Sequence, residues 1–388
     1  MRVAHVGDYK PDTSNGVNKT VAALARHTSS HGIQVELWHF TTRTSHVRQR
    51  VVDGIPIFDL PTYAKRWLNT ITLPAETVQF LNRRRDHVDL LHLHSAFAPE
   101  NIWAADLGVP YIVTPNGAWS THVLRGRRRL MKWVWFQLWE RRLWNRAKAI
   151  HAVSRSELAE LVGHNRRVPI TYIPNGIDDG EVHREVPPPS AGTVWLYLGR
   201  LAVRQKGLDL LVRAYAIARS STDVPLPPLV IAGPDFRGGL GELIQLSESL
   251  ALAGSVRFVG PVTADAKGPL FSTARMFVHL SRWEGMPFAV LEALAAERPV
   301  LVTNGTNLTQ EIEAYSAGWI AEGTPEAVAQ CLIKAATTDT VTLDGIGRRG
   351  RLLVQECLGW KPLAGSMAAL YKTVIGQSAP STGSESHL

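Results

Sequence analysis

Two glutamates, Glu284 and Glu292, stand eight residues apart in the segment 281–300, SRWEGMPFAVLEALAAERPV. The first sits in a loop after a strand-like run, the second about two turns into or below a helix that starts near Pro287. A carboxylate accepts two hydrogen bonds side by side and suits the vicinal hydroxyls of a sugar or ribose. Unpaired backbone N–H groups at a helix start add contacts for an anion or hydroxyl. The same spacing also fits a helix whose early acid complements the dipole. Arg200 and Lys206 bracket a turn between a strand-like run and a helix-like one, which suits anion binding or a pair of solvated bases. His92 and His94 close the run 88–94, VDLLHLH. Alternation points both to one face, at the end of the strand where open α/β sheets bind ligands. A satisfied core histidine fits that pattern as well.

The elements that must carry these side chains are short apolar runs alternating with longer helix-like stretches. The first series of strand candidates is 2–6, 35–40, 88–93, 111–114, 149–153 and 170–173; the second is 194–198, 229–232, 256–259, 276–280 and 300–303. Several are apolar almost throughout, as in parallel strands buried on both faces. Helices are expected between them, for example over 206–219 and 241–253, and Thr324-Pro325-Glu326 places a proline at the first helical position. Alternation of this kind predicts doubly wound parallel sheets. The stretch 178–192, DDGEVHREVPPPSAG, has three consecutive prolines and no periodicity, and reads as a linker. The expected organisation is one α/β domain over 1–178, a linker over 179–192, a second over 193–358, a helix over 359–376 returning toward the first domain, and a disordered tail over 377–388.

Composition narrows the class. The 388 residues are 45% apolar and 20% charged, which excludes collagen-like and disordered chains. Two cysteines are too few for a disulfide framework or a cysteine-based zinc site. With no basic-then-apolar leader evident, a cytoplasmic location is expected. The net charge of +8 is local: nine Lys/Arg lie against one acid, Glu140, within 119–149, which accounts for all of it. There Arg127, Arg128, Arg129, Lys132 and Trp133 head a run that contains four tryptophans (133, 135, 139 and 144). Bases beside aromatics suit an anionic membrane surface, and in principle nucleic-acid phosphates; a buried helix with solvated ends is the plainer reading.

The block EGMPFAVLEALAAERPV closely resembles the E-x7-E signature of the retaining glycosyltransferases of family 4. Glu297-Arg298 stand where that family usually has a small residue and a glycine that serves a turn. GRLAVRQKGLDLLV (199–212) resembles the family's GR-L…KG-x-D-x-L segment, IPNGID (173–178) its interdomain turn, and SNGVN (14–18) its GG-V loop, with Asn15 in place of the first glycine and Gly16 kept. DLLHLHS is similar to its D-x-x-H-x-H motif, and Asn116 replaces the histidine that many relatives carry after the next strand. The resemblance covers nearly the whole chain and implies two facing Rossmann-like domains with a cleft between them, the GT-B arrangement.

It further implies a nucleotide-diphospho-sugar donor, with UDP or GDP as the carrier, held by Gly16, Gly199, Arg200, Lys206, Glu284, Gly285, Met286, Pro287 and Glu292. Glu292 would take the ribose hydroxyls, Glu284 the transferred sugar, Arg200 and Lys206 the diphosphate, and His94 the donor sugar or the reaction centre, with Asn15 and Asn116 on the acceptor side. No metal or other cofactor is expected, because the two bases do a cation's electrostatic work and no paired metal carboxylates are evident. The acceptor would be a hydroxyl of a lipid-linked or cell-envelope glycan at the inner face of the membrane, or of a soluble small molecule. A nucleotide-sugar epimerase on the same fold lacks this glutamate block. A dinucleotide oxidoreductase needs a G-x-G-x-x-G that VGDYKPDTSNG does not supply. A nucleic-acid-binding role would leave the glutamates unexplained, so no nucleic-acid partner is expected.

Overall fold

The structure is a computed structural model that describes residues 1–8, 16–65, 70–117, 129–164, 167–178, 180 and 194–378. The linker at 179–192 (Gly180 apart) and the tail from 379 lie outside the described residues, as do Asn15, Arg127 and Arg128. The chain forms two compact units, Met1–Pro174 with Lys361–Leu388, and Asn175–Trp360.

The first unit carries β1 (Arg2–Val6), β2 (Gln34–Thr41), β3 (Arg48–Val52), β4 (Ile55–Pro61), a small hairpin of β5 (Tyr63–Lys65) and β6 (Thr70–Thr72), then β7 (Leu90–His94), β8 (Tyr111–Thr114), β9 (Ala149–Ala152) and β10 (Ile170–Tyr172). Its main sheet runs β10-β9-β8-β7-β1-β2-β4-β3, parallel throughout except where β3 pairs antiparallel with β4 at one edge. That edge was not expected: RQRVV is half polar and exposed, and carries no doubly buried pattern. The inner strands divide their side chains by alternation. Ala4, Val6, Leu91, Leu93, Ile150 and Ala152 enter one apolar cluster. His5, His92, His94 and His151 take the alternate positions, toward the opposite face. The helix Trp360–Ser378 belongs to this unit from Lys361 onward and brings Tyr371 to that face.

The second unit is fully parallel, in the order β13-β12-β11-β14-β15-β16, with β11 (Val194–Leu198), β12 (Leu229–Ala232), β13 (Val256–Val259), β14 (Ala274–His279), β15 (Val300–Thr303) and β16 (Gly318–Ala321). All five residues of VWLYL in β11 are buried. Leu196 and Leu198 pack with Phe277, Val290 and Leu291 on one face; Trp195 and Tyr197 pack with Leu208, Leu211 and Val278 on the other. Two buried faces explain the unbroken apolar runs. The strand order reverses between β11 and β14, so the loops after these two strands diverge to opposite faces. Their carboxyl ends border the crevice where such sheets hold ligands.

Candidate functional site

The loop after β11 opens with Gly199, whose N–H reaches the Ala232 carbonyl at 3.0 Å. Arg200 follows, exposed, its guanidinium 5.3 Å from the centre of the Phe236 ring. Lys206 ends a single helical turn, Val203–Lys206, and the long helix starts at Leu208 rather than at Lys206 as the sequence suggests. The break is Gly207, which adopts φ +64 with the space for a Cβ only 2.1 Å from the Leu280 carbonyl oxygen. Only glycine tolerates both conditions, so the turn that aims Lys206 is pinned against the end of β14.

The loop after β14 is equally fixed. Arg282 forks onto Asp209 at 2.7 and 2.8 Å, Thr303 donates to the Ser281 carbonyl at 2.8 Å, and Asn307 donates to the carbonyls of Glu284 and Gly285 at 2.6 and 3.2 Å. This loop delivers Glu284 Oε1 to three donors: the Lys206 ammonium, the Ser281 hydroxyl at 2.8 Å, and His279 Nε2 at 3.3 Å. Burial would raise this carboxyl, but Lys206 and His279 outweigh it and hold it at about 2. The site therefore presents an ionised carboxylate and a cation already locked together, with Lys206 and Glu284 each about 10% exposed. Met286 is buried, and Pro287 leads into the helix Phe288–Ala295. Glu292 lies in the second turn of that helix, 7% exposed, with Lys267 Nζ at 2.6 Å. Ser281, His279, Asn307 and Lys267 were not singled out from the sequence: Asn307 and Lys267 meet their partners from 23 and 25 residues away, and the nearby Ser281 and His279 are aimed at Glu284 by the fold of the loop rather than by their spacing.

That helix ends on Glu297 at φ +58, with Arg298 N–H reaching back to the Ala293 carbonyl at 2.9 Å and Glu297 N–H to Leu294 at 3.0 Å. This is the six-to-one and five-to-two closure that glycine usually serves. The departure in the signature is thus a left-handed glutamate, which also pairs with Arg351 at 3.1 Å.

In the first unit His94 is 4% exposed. Its Nε2 lies 3.0 Å from His5 Nδ1 and its ring stacks on His92 at 4.0 Å. A donor-sugar contact from the sequence motif therefore falls on a side chain buried among other histidines; the alternation that aligns it with the strand end also turns it into the packed face. Beside it runs a chain of hydrogen bonds. His151 Nε2 lies 2.7 Å from the Ile173 carbonyl, and Thr114 Oγ1 lies 2.8 Å from His151 Nδ1 and 2.6 Å from His92 Nε2. His92 Nδ1 lies 2.7 Å from the Tyr371 hydroxyl. The Ile173 carbonyl only accepts, so His151 Nε2 donates to it; with both histidines neutral the remaining directions follow, Thr114 donating to His151, His92 to Thr114 and Tyr371 to His92. Burial keeps both histidines neutral, lowering His151 to about 4 and His92 well below the ordinary range.

His5, His92 and His94 also bring ring nitrogens within 4.8 Å of one another, close enough for a metal ion. Both nitrogens of His92 are already engaged, by Tyr371 and Thr114, so a cation here would have to break one of those hydrogen bonds, while His5 Nε2 and His94 Nδ1 are buried without a hydrogen-bond partner. We read the group as a buried, partly hydrogen-bonded histidine cluster of the core. Asn116 stands past β8 at φ +56, its amide Oδ1 buried without a hydrogen-bond partner. The adjoining Gly117 N–H is held by Glu157 at 2.7 Å. Gly16 begins the helix Gly16–Ser29.

The basic, tryptophan-rich segment divides its aromatics. Trp135 and Trp144 are buried and donate to the Glu140 carboxylate at 3.0 and 3.1 Å, with Phe97 N–H on the same group at 3.2 Å. Leu130, Trp133 and Leu138 are 74%, 58% and 57% exposed, with half-buried Lys132 between the first two. The four tryptophans thus do not form one surface: a five-residue helical turn at Phe136–Glu140 shifts the register between them. The side chain of Arg129 lies outside the described residues.

The two parallel-sheet α/β units define a GT-B fold, and comparison with known proteins agrees. Residues 14–181 match the family Glycosyltransferase Family 4 and residues 192–338 match Glycosyl transferases group 1. The chain belongs to glycosyltransferase family 4 and is an enzyme, a hexosyltransferase. It is 26% identical over 394 residues to the GDP-mannose:cellobiosyl-diphosphopolyprenol alpha-mannosyltransferase of Komagataeibacter xylinus, covering 98% of this chain and 95% of that one. Among solved structures, sucrose-phosphate synthase from Thermosynechococcus elongatus superposes with a TM-score of 0.74 at 18% identity, over 97% of this chain and 100% of that one. A protein from Anabaena determined with UDP and glucose superposes at 0.69 and 15% identity, over 96% and 100%.

Proposed function

We propose that this enzyme transfers a hexose from a nucleotide-diphospho-sugar to a hydroxyl acceptor with retention of anomeric configuration. The observation that carries the reading is the Glu284 oxygen shared by Lys206, Ser281 and His279 at the β11–β14 switch. A pre-formed anion–cation pair there can offer its carboxylate to sugar hydroxyls and its ammonium to a departing diphosphate. Arg200, exposed on the same loop as Lys206, would add a second positive charge. Fixed charge of this kind stabilises a leaving group without reorganisation at the moment of transfer. No divalent cation is then required, and activity is expected to survive EDTA. Glu292 would bind the ribose. The attacking hydroxyl would approach the face the diphosphate leaves, with no enzyme nucleophile. The polyprenol-linked acceptor in the name of the Komagataeibacter relative, and the UDP and glucose held by the Anabaena protein, support a nucleotide-sugar donor and an acceptor at a membrane. The exposed side chains of Leu130, Trp133 and Leu138, in the segment that carries the basic excess, support attachment at an anionic leaflet.

The test is a thermal-shift panel of UDP-, GDP-, ADP- and TDP-sugars, since a specific ligand stabilises by mass action. One nucleotide series should raise the melting temperature and support transfer. No shift with any of the four, in folded protein, would overturn the donor assignment.

A further inference from the structure

We infer that Lys267 is a positioning residue of the nucleoside pocket, fixing the Glu292 carboxylate in the orientation that receives the ribose. The inference rests on the nucleotide-donor reading and goes beyond it to a residue outside the signature. Lys267 lies on the helix Ala264–Thr273, which follows β13, while Glu292 lies on the helix that follows β14. Their side chains meet at 2.6 Å, with Lys267 23% and Glu292 7% exposed. A carboxylate this buried is costly unless paired, and the ammonium on Oε1 restricts the rotation of the group. Hydrogen-bond acceptance by a carboxylate is directional, so its orientation decides whether two vicinal hydroxyls can be met together.

The helix that carries Lys267 is held in the core at its far end, where Phe271 packs on Phe277 and Leu270 joins the same cluster. It contains Pro269, its Thr263 cap makes no side-chain hydrogen bond, and Phe271 is its only fully buried residue. Its first turn follows directly on 260–263, the segment after β13. The end of that strand is in turn tied to the loop after β12, where Gly233 N–H reaches the carbonyls of Val259 and Gly260 at 3.0 and 3.1 Å. The Lys267–Glu292 pair therefore links the helix that follows β13 and its loop to the carboxylate proposed to take the ribose. A plain strut between two helices would use the same contact, and binding measurements separate the two.

The experiment is calorimetric titration of UDP, GDP, ADP and TDP into wild type, Lys267→Met, Lys267→Arg, Glu292→Gln and the Lys267→Met/Glu292→Gln double variant. For whichever diphosphate wild type binds, Lys267→Met should weaken binding about tenfold. Lys267→Arg should restore it to within about threefold. The double variant should bind within about twofold of Glu292→Gln alone, because the lysine acts only through that glutamate. Should Lys267→Met fail to fold, Lys267→Gln takes its place and should show the same loss. Wild-type affinity in the folded methionine or glutamine variant, or additive losses in the double variant, overturns the inference and leaves the donor reading standing. Wild type binding none of the four overturns the donor reading and the inference with it.

Discussion

Lys206 has two tasks that conflict when it is mutated. It is proposed to meet the leaving diphosphate, and it neutralises Glu284, whose carboxyl is buried and held at about 2. Removing one member of a buried pair strands the other, at a cost on the order of 3–5 kcal/mol. Lys206→Ala should therefore lose activity and lower the melting temperature together. Arg200, exposed and outside that pair, should give a cleaner result: Arg200→Ala should cut kcat/KM at least tenfold, about 1.5–3 kcal/mol for a charge-assisted contact, with melting unchanged. Equal turnover of Arg200→Ala and wild type on any working donor would remove it from the diphosphate. The glutamates should separate in the same way. Glu292→Gln should weaken binding of the free nucleoside diphosphate, while Glu284→Gln should leave that binding nearly intact and impair transfer. Calorimetry giving the reverse order would exchange their roles.

At the scale of elements, the first unit is bound together by neutral histidines. Tyr371→Phe leaves the His92 Nδ1 acceptor buried and unpaired, and should cost about 1–3 kcal/mol, read as a lower urea midpoint. The pH dependence has a definite sign. Burial puts His5 at about 3 and His151 at about 4, and holds His92 and His94 well below 6.5. The unfolded chain binds protons at these four sites below about 6.5. Their stability is thus fully present above that pH and is lost as the pH falls toward 4 and then 3. Glu100, Glu140 and Glu157 act in the opposite sense, because burial raises each of them, Glu157 to about 7. Their contribution is full below about 4.5 and lost as pH rises. The histidines outnumber them, so stability should fall by about 1–3 kcal/mol per pH unit between 6.5 and 4.5. A urea midpoint that stays flat over that interval would show that the four rings are not buried neutral. Much of this architecture was legible: strands such as VWLYL announce burial on both faces, and the glutamate block announces a strand–loop–helix corner. The histidine chain was not, because one histidine in an alternating strand says nothing about which strand lies beside it. Glu297 hides its turn for a related reason, since a left-handed residue is readable only when it is glycine or asparagine.

For the whole molecule, the question is what the single concentration of charge faces. The bases of 119–149 supply the entire net charge of +8. The structure adds that Trp135 and Trp144 turn inward to Glu140 while Leu130, Trp133 and Leu138 point outward. Among the described residues no helix is long and apolar enough to cross a membrane; the attachment proposed above is to a leaflet surface. Each base near an anionic leaflet contributes about 1 kcal/mol, and the three outward apolar side chains add partial burial at the headgroup level. Wild type should therefore pellet with phosphatidylglycerol vesicles at low salt and not with phosphatidylcholine vesicles. The charge contribution should fade as the screening length shrinks from about 10 Å at 0.1 M to about 3 Å at 1 M. Two variants separate the contributions: Arg127→Glu with Arg128→Glu and Arg129→Glu should abolish pelleting. Leu130→Ser with Trp133→Ser, at exposed positions that leave the Glu140 cluster intact, should weaken it at low salt and remove whatever binding survives high salt. Trp135→Phe, which strips a donor from buried Glu140, should instead lower the melting temperature and leave vesicle binding of the folded protein unchanged. Wild type that stays in the supernatant with anionic vesicles at low salt would move the acceptor from the membrane to solution.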